Sequence, residues 1–239
     1  MIAQSVSGPA PARGDEALLA IATGNTLFHE GDRARRFFRM ISGAVRSCRL
    51  LPDGRRQIDD FFLSGDFFGF GTGTTYSHSA EAIVGSTLLA YPLAPLDRLI
   101  SDRPQVTRDL LLMMSRRLTE AQRHMDTVGR KAAGERIAIF LLEMARRCGG
   151  EDHVHLPMPR SDIADYLALS RETVSRVMTK FRRRGLIGLP AADEVVIVNR
   201  DALAALAEGI EGILGATARE RAPRAVSHAG NRCVVDPSQ

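Results

Sequence analysis

The chain has 239 residues, of which 25% are charged, and a formal net charge of +4 at pH 7. A chain of this length holds one large domain or two modest ones, and its apolar runs are too short for a membrane-spanning helix, which excludes that class of protein. The first residues lack the charged start and apolar stretch of a secretory signal, and the three cysteines, Cys48, Cys148 and Cys233, are scattered. We therefore predict a cytoplasmic protein without a disulfide framework.

The beginning of the chain is rich in proline, alanine and glycine and ends in a short apolar stretch at residues 16–21. We interpret that stretch as helical. Residues 1–24 are accordingly predicted to be a segment that precedes the first domain.

Residues 25–103 have the pattern of a β domain. Glycines recur at nearly even intervals, at positions 31, 43, 54 and 65, and Asp53-Gly54 is a strong hairpin signal. Between these turns lie strand-like pieces at 37–41, 44–51, 57–63 and 82–91. Short strands separated by regular turns predict a sandwich or a small barrel.

A long helix is predicted over residues 104–128, because apolar side chains recur there with the alternating spacing of a coiled-coil seam. The seam consists of Leu111, Met114, Leu118, Ala121, Met125 and Val128. We interpret it as a parallel homodimer contact, and the alternative is a core helix of a monomer. Gly129-Arg130-Lys131 interrupts the pattern and indicates a hinge.

Residues 129–210 are predicted to form a DNA-binding domain. After a helix carrying Ile137 and Phe140, residues 161–168 indicate a second helix, and Leu169-Ser170 a tight turn. Ser170 is a suitable N-cap for a third helix that begins at Arg171. Apolar and polar side chains divide that helix into two faces. The apolar face consists of Val174, Val177, Met178 and Phe181, and the polar face of Glu172, Ser175, Arg176 and Thr179.

The same region is basic and ends in signals for a wing. Residues 129–190 contain twelve Lys or Arg against seven Asp or Glu, an excess of five that exceeds the charge of the whole chain. Gly185 suits a left-handed helix end, and the apolar runs at 186–189 and 195–198 flank a turn, which predicts a β-hairpin. The polar residues 211–239 are predicted to be a disordered tail.

The residues Ser-Arg-Glu-Thr-Val-Ser-Arg at 170–176 closely resemble the signature of the catabolite activator and fumarate–nitrate regulator (Crp/Fnr) superfamily of bacterial transcription factors. The turns at 27–32, 41–43 and 64–69 also resemble those of its sensor domain. The resemblance implies an α+β protein with an N-terminal cyclic-nucleotide-binding-type β jelly roll, a long dimerisation helix and a C-terminal winged helix-turn-helix. It further implies a homodimeric transcription regulator that contacts double-stranded DNA and RNA polymerase.

The resemblance also suggests roles for individual residues. Base reading is expected from Arg171, Glu172, Ser175 and Arg176, and phosphate contact from Arg160, Ser170, Thr173 and Lys180. Glutamate accepts from cytosine and arginine donates to guanine, so the pair fits a G·C in each half-site of a palindrome with a TGA…TCA core. Arg171 leaves the outer bases open between TTGAT-like and TGTGA-like sites, or contacts phosphate.

The family's known cofactors are not expected here. Phe70 and His78 stand where cyclic-AMP-binding members carry an acidic residue for the ribose and an arginine for the phosphate. The cysteines are too few and too scattered for an iron–sulfur cluster. Haem ligation by His29 or His78 is an unfavoured alternative.

The chain therefore most resembles the FixK branch, which implies activation of genes for low-oxygen respiration or nitrogen metabolism. A regulator of this fold controlled by a small effector or haem is the alternative. An enzyme is not expected, because His29-Glu30 and the scattered carboxylates have no catalytic spacing.

Overall fold

The computed structural model describes residues 17–71, 74–93, 104–148 and 152–210. Its N-terminal part consists of two antiparallel four-stranded sheets, as predicted for a jelly roll. The strands are β1 (Ala17–Ile21), β2 (Thr26–Phe28), β3 (Arg36–Ser42), β4 (Val45–Leu50), β5 (Arg56–Phe62), β6 (Phe67–Phe68), β7 (Ser79–Ala82) and β8 (Ser86–Pro92). One sheet has the order β1-β8-β3-β6 and the other β2-β7-β4-β5.

Two sequence predictions in this domain are wrong. Residues 16–21, predicted as a helix, contain β1, which pairs with β8 along its whole length, so the sheet begins before residue 25. The single strand predicted at 82–91 is two strands, β7 and β8, separated by a turn at residues 83–85. A stretch of five residues is too short for its period to distinguish a helix from a strand, and here the neighbouring strand decided the outcome.

The space between the two sheets is filled by aromatic and aliphatic side chains. Phe62 and Phe68 stack with ring centroids 4.4 Å apart, and Phe28 stacks on Tyr76 at 3.7 Å. Gly43, with a φ of +88°, makes the turn after β3, where a β-carbon would overlap Gly85 and Ser86. This turn is one of those that the glycine spacing indicated.

Two helices link the β domain to the rest of the chain. Helix α1 spans Pro104–Arg130 and α2 spans Ala133–Arg147. Residues 131 and 132 are not helical, so the hinge predicted at 129–131 lies at the end of α1. No described helix combines the length and the apolar character that a membrane crossing requires.

The C-terminal part contains the predicted helix-turn-helix. Helix α3 spans Arg160–Leu167 and α4 spans Arg171–Arg183. The strands β9 (His153–His155), β10 (Ile187–Ala191) and β11 (Glu194–Ile197) form an antiparallel sheet of order β10-β11-β9, and α5 (Arg200–Ala207) follows. The predicted hairpin is therefore present with a third strand added. The predicted tail at 211–239 lies outside the described residues.

The core of the C-terminal domain continues into the β domain. Its buried cluster includes Ile137, Leu141 and Phe181 together with Ile58 and Phe61 of β5. Since Ile58 and Phe61 belong to the sheet β2-β7-β4-β5, that sheet contributes apolar side chains to both cores. The two domains are consequently packed against each other through β5.

Candidate nucleic-acid interface

The turn that leads into α4 is built by two residues. Ala168 adopts the left-handed conformation, with φ 52° and ψ 48°, and ends α3. The Ser170 hydroxyl then accepts a hydrogen bond from the backbone N–H of Thr173 at 3.1 Å. This is the N-cap that the sequence predicted, and it fixes the start of α4 at Arg171.

Helix α4 buries one face and exposes the other. Val174, Met178 and Phe181 are buried, with exposed fractions of 2% or less, while Val177 is half-buried. The predicted apolar stripe is thus confirmed. On the opposite face Glu172 and Arg176 are exposed, so the side chains predicted to read bases point away from the protein core.

The predicted base-reading residues lie together on the first two turns of α4. Arg171, Glu172 and Arg176 are exposed and Ser175 is half-buried. Within the described part of the chain, no hydrogen bond or ion pair engages the side chains of Arg171, Glu172 and Arg176. A surface that offers donors and an acceptor free of internal partners can form bidentate contacts with base edges.

The residues predicted to contact phosphate surround this face. Lys180 is exposed on the next turn of α4, Thr173 is half-buried beside Ser170, and Arg160 begins α3. The last turn adds further exposed cations, Arg182 and Arg183. The result is a polar reading face with a basic border, which is the arrangement required by a polyanionic duplex.

A wing flanks the same region. Strands β10 and β11 pair antiparallel, with Ile187 opposite Ile197, and the register shifts between Gly188 and Ala191. Gly185, with a φ of +68°, permits the sharp exit from α4 into β10. The exposed turn at residues 192 and 193 joins the strands. The predicted hairpin is present, and its strands extend closer to the turn than the apolar runs at 186–189 and 195–198, because β10 continues to Ala191 and β11 begins at Glu194.

Helix α1 also presents two different faces. Arg117, His124 and Thr127 face the protein: Arg117 pairs with Asp60, His124 stacks on Tyr166, and Thr127 is 7% exposed. The predicted seam lies on the outer side. The exposed fractions are 63% for Leu111, 47% for Met114, 61% for Leu118 and 65% for Met125. Ala121 is also exposed, and Val128 is half-buried.

The candidate ligand-binding residues Phe70, His78 and His29 lie in the β domain, apart from the predicted base-reading residues of α4. The Phe70 ring stacks on Phe37 with centroids 4.9 Å apart. His78 is half-buried, its Nδ1 lies 3.1 Å from the Ser77 hydroxyl, and burial lowers its pKa below the ordinary value. His29 is exposed, and its backbone N–H donates to Asp32.

The two described cysteines are free thiols, one buried and one exposed. Cys48 is buried in β4, and burial raises its pKa to about 11. Cys148 is the C-cap of α2, and burial raises its pKa as well. Cys233 lies outside the described residues. Within them, no group of three or more His, Cys, Asp or Glu side chains is arranged to hold a metal ion.

Sequence reasoning missed the residues that join the domains. Arg46 and Arg56, on neighbouring strands of the β domain, form ion pairs with Asp162 in α3. The sequence contained one indication of this contact between the domains. Strand β5 has Phe61 and Phe62 in succession, so both faces of the strand are apolar. An antiparallel strand with one face in water normally alternates.

These features define the class of protein: a winged helix-turn-helix joined to a β domain of the cyclic-nucleotide-binding type. Comparison with family models agrees, since residues 135–206 match a Crp-like helix-turn-helix domain and residues 18–103 match a cyclic nucleotide-binding domain. The chain belongs to the Crp/Fnr superfamily and to its FixK-like members.

Individual relatives support this assignment. The chain is 41% identical over 199 residues to the nitrogen fixation regulation protein FixK of Rhizobium meliloti, covering 83% of this chain and 91% of that protein. It is 43% identical over 185 residues to the transcriptional activatory protein AadR of Rhodopseudomonas palustris, covering 75% and 77%. The structure of FixK2 from Bradyrhizobium japonicum superposes with a TM-score of 0.77 at 38% identity, covering 80% of this chain and 96% of that one.

Proposed function

We propose that this helix-turn-helix regulator is a homodimeric transcription activator that reads a palindrome with TGA…TCA half-site cores, of the form TTGAT-N4-ATCAA. The observation that carries the proposal is the exposed face of α4. Glu172 and Arg176 lie there one turn apart, without partners in the described part of the chain. Their chemistry suits one G·C pair, with glutamate accepting from cytosine N4 and arginine donating to guanine O6 and N7.

Dimerisation is proposed from the outer face of α1. Four large apolar side chains of the seam are roughly half exposed or more, which is costly in water unless another surface covers them. Their alternating spacing of three and four residues fits a parallel two-stranded contact with a second copy of the chain. Two copies would present two α4 helices to half-sites about one helical turn apart.

We propose that the β domain does not use cyclic AMP. The ring of Phe70, packed on Phe37, cannot accept a hydrogen bond from a ribose hydroxyl. His78, whose pKa is lowered by burial, is neutral at pH 7 and is a poor substitute for a guanidinium that clamps a phosphate. The proposal likewise includes neither haem nor an iron–sulfur cluster as a cofactor. Isothermal titration with cyclic AMP tests this point, and micromolar binding would contradict it.

The regulated genes are proposed from the relatives. Proteins similar to this chain are described as nitrogen fixation regulation proteins and as transcriptional activators. We therefore propose that the chain activates genes of low-oxygen respiration or nitrogen metabolism through RNA polymerase in the cytoplasm. Regulation would act chiefly through the amount of the protein.

The decisive experiment is a binding titration of the purified chain against a TTGAT-N4-ATCAA duplex, a TGTGA-type duplex and a scrambled duplex. We expect the specific duplex to bind at least about a thousandfold more tightly than the scrambled one, which is the usual margin for specific readers. Equal affinity for all three would refute the proposal.

The TTGAT-like and TGTGA-like sites differ in their outer base pairs, and Arg171 is the residue whose contact there is tested. It is exposed on the first turn of α4, where it can reach either an outer base pair or a phosphate. Selection of preferred sites from random duplexes, compared between the wild type and Arg171→Ala, separates these roles. A changed outer base preference assigns Arg171 to base reading, whereas an unchanged preference with weaker binding assigns it to phosphate.

A further inference from the structure

The contact between the two domains is centred on Asp162, a carboxylate of α3 that is almost completely buried. Its side chain is 2% exposed. Arg46 Nη1 donates to Asp162 Oδ2 at 2.5 Å, and Arg56 Nη2 donates to Asp162 Oδ1 at 2.6 Å. Both arginines belong to the β domain, on β4 and β5. Each oxygen of this buried acid is therefore paired with a cation of the other domain.

Each arginine is also held by a second carboxylate. Arg46 donates through Nε and Nη2 to Glu81 at 3.0 and 2.8 Å. Arg56 donates through Nε and Nη2 to Asp165 at 3.0 and 2.8 Å. Burial by itself lowers the pKa of both guanidinium groups, but the carboxylates raise it above the ordinary value, so both arginines stay charged. Two-point contacts of this kind fix direction as well as distance.

Apolar packing supports the ion pairs from one side. Phe61 of β5 is 0% exposed. Its ring centroid lies 5.2 Å from that of Tyr166 in α3 and 6.3 Å from that of Phe140 in α2. The Tyr166 ring also stacks on His124 of α1 at 4.0 Å. Strand β5 thus contacts α3, the first helix of the helix-turn-helix. Helix α3 in turn contacts α1, the helix of the proposed dimer.

The same strand is anchored to α1 and α2. Arg117 of α1 donates to Asp60 at 2.8 Å, and Arg147 of α2 donates to the Phe61 carbonyl and to Asp66, each at 2.6 Å. The orientation of α3 relative to α1 therefore depends on β5. Helix α4, which follows α3 after a tight turn, shares that orientation, yet its predicted base-reading side chains do not take part in these contacts.

We propose that Arg46 and Arg56 are positioning residues for palindrome recognition. By pairing with Asp162 and Asp165 they hold the helix-turn-helix against the β domain of its own protomer. The two α4 helices of a dimer are thereby kept at a fixed distance from each other. The proposal rests on the proposed function. A palindrome reader needs such a constraint, because its two helices must reach half-sites at a fixed spacing.

The test measures spacing preference with the full-length protein. Fluorescence anisotropy gives the dissociation constant for the TTGAT-N4-ATCAA duplex, for the same half-sites with one base pair removed from or added to the spacer, and for a single half-site. We expect Arg56→Gln to lose about tenfold of the preference for the four-base-pair spacer, a typical size for coupling between sites. Its affinity for the single half-site should stay within about twofold of the wild type.

Two further variants make the test specific. Arg49→Gln removes a similar arginine of β4 that pairs with Asp59 inside the β domain and, within the described part of the chain, forms no ion pair or hydrogen bond with α3; it should keep the wild-type spacing preference. The combined exchange Arg56→Asp with Asp165→Arg restores an opposite pair across the interface. The introduced arginine would also lie one turn from Asp162 on the same helix and could pair with it. This exchange should recover most of the preference lost in Arg56→Gln.

The outcomes are distinguishable. If Arg56→Gln keeps the wild-type spacing preference, or weakens every duplex by the same factor, the arginine has no positioning role. If the variant binds every duplex more tightly, the contact restrains the reading unit and the proposal is again overturned. If wild-type protein binds the palindrome no better than a scrambled duplex, the proposed function fails and the positioning role falls with it.

Discussion

Truncating Leu118 to alanine should convert a dimer into a weakly associating monomer. Leu118 lies at the middle of the proposed seam on α1 and is 61% exposed in the protomer. In a parallel two-stranded contact the same residue from each copy would meet near the symmetry axis, so one substitution removes two leucine side chains from the interface.

The magnitude follows from the exposed fraction. Full burial of a leucine contributes roughly 1.5–3 kcal/mol, and alanine retains one of its four side-chain carbons. With about three-fifths of Leu118 available to a partner, and two copies per dimer, we expect a loss of about 1.4–2.7 kcal/mol of association free energy. The dimer dissociation constant should therefore rise roughly 10- to 100-fold.

Sedimentation velocity over a series of protein concentrations measures this constant. Leu50→Ala is the matched control, because Leu50 is 75% exposed on β4, outside the proposed seam, and loses the same atoms. The control should sediment like the wild type. The reasoning is refuted if Leu118→Ala associates as tightly as the control, or if the wild type is monomeric at high concentration.

Arg176→Ala should cost about 1–3 kcal/mol on the matched duplex and reduce discrimination at one G·C pair, whereas Lys180→Ala should weaken all duplexes alike and flatten the salt dependence; identical behaviour in titrations on matched and mismatched duplexes would contradict these roles. Phe61→Ala should lower the free energy of unfolding by about 3–5 kcal/mol in urea titrations, because the ring is completely buried between the domains; a loss below about 1 kcal/mol would mean that the site is not packed as described. Burial lowers the pKa of His124, so this histidine binds a proton more readily in the unfolded chain than in the folded one. The free energy of unfolding should therefore fall as the pH drops below about 6.5. Melting temperatures between pH 7.5 and 5 should fall less in His124→Gln than in the wild type or in His153→Gln, whose histidine is exposed; equal slopes in all three would contradict the assignment.

The amino-acid sequence by itself determined the reading helix. The spacing of Val174, Met178 and Phe181 defines which face of α4 is buried, and the serine at 170 defines where the helix begins. Both features depend on residues within a few positions of one another. Local geometry therefore suffices to place Glu172 and Arg176 on the exposed face, and the structure confirms that placement.

Tertiary structure decided the features that depend on distant partners. Residues 17–21 form a strand because β8 lies beside them, and five residues carry too little periodicity to show this alone. The Arg46–Asp162 pair joins positions 116 residues apart. A buried charge needs a partner, but sequence spacing does not say which one. Only the packing of β5 against α3 brings the arginines of one domain to the acids of the other.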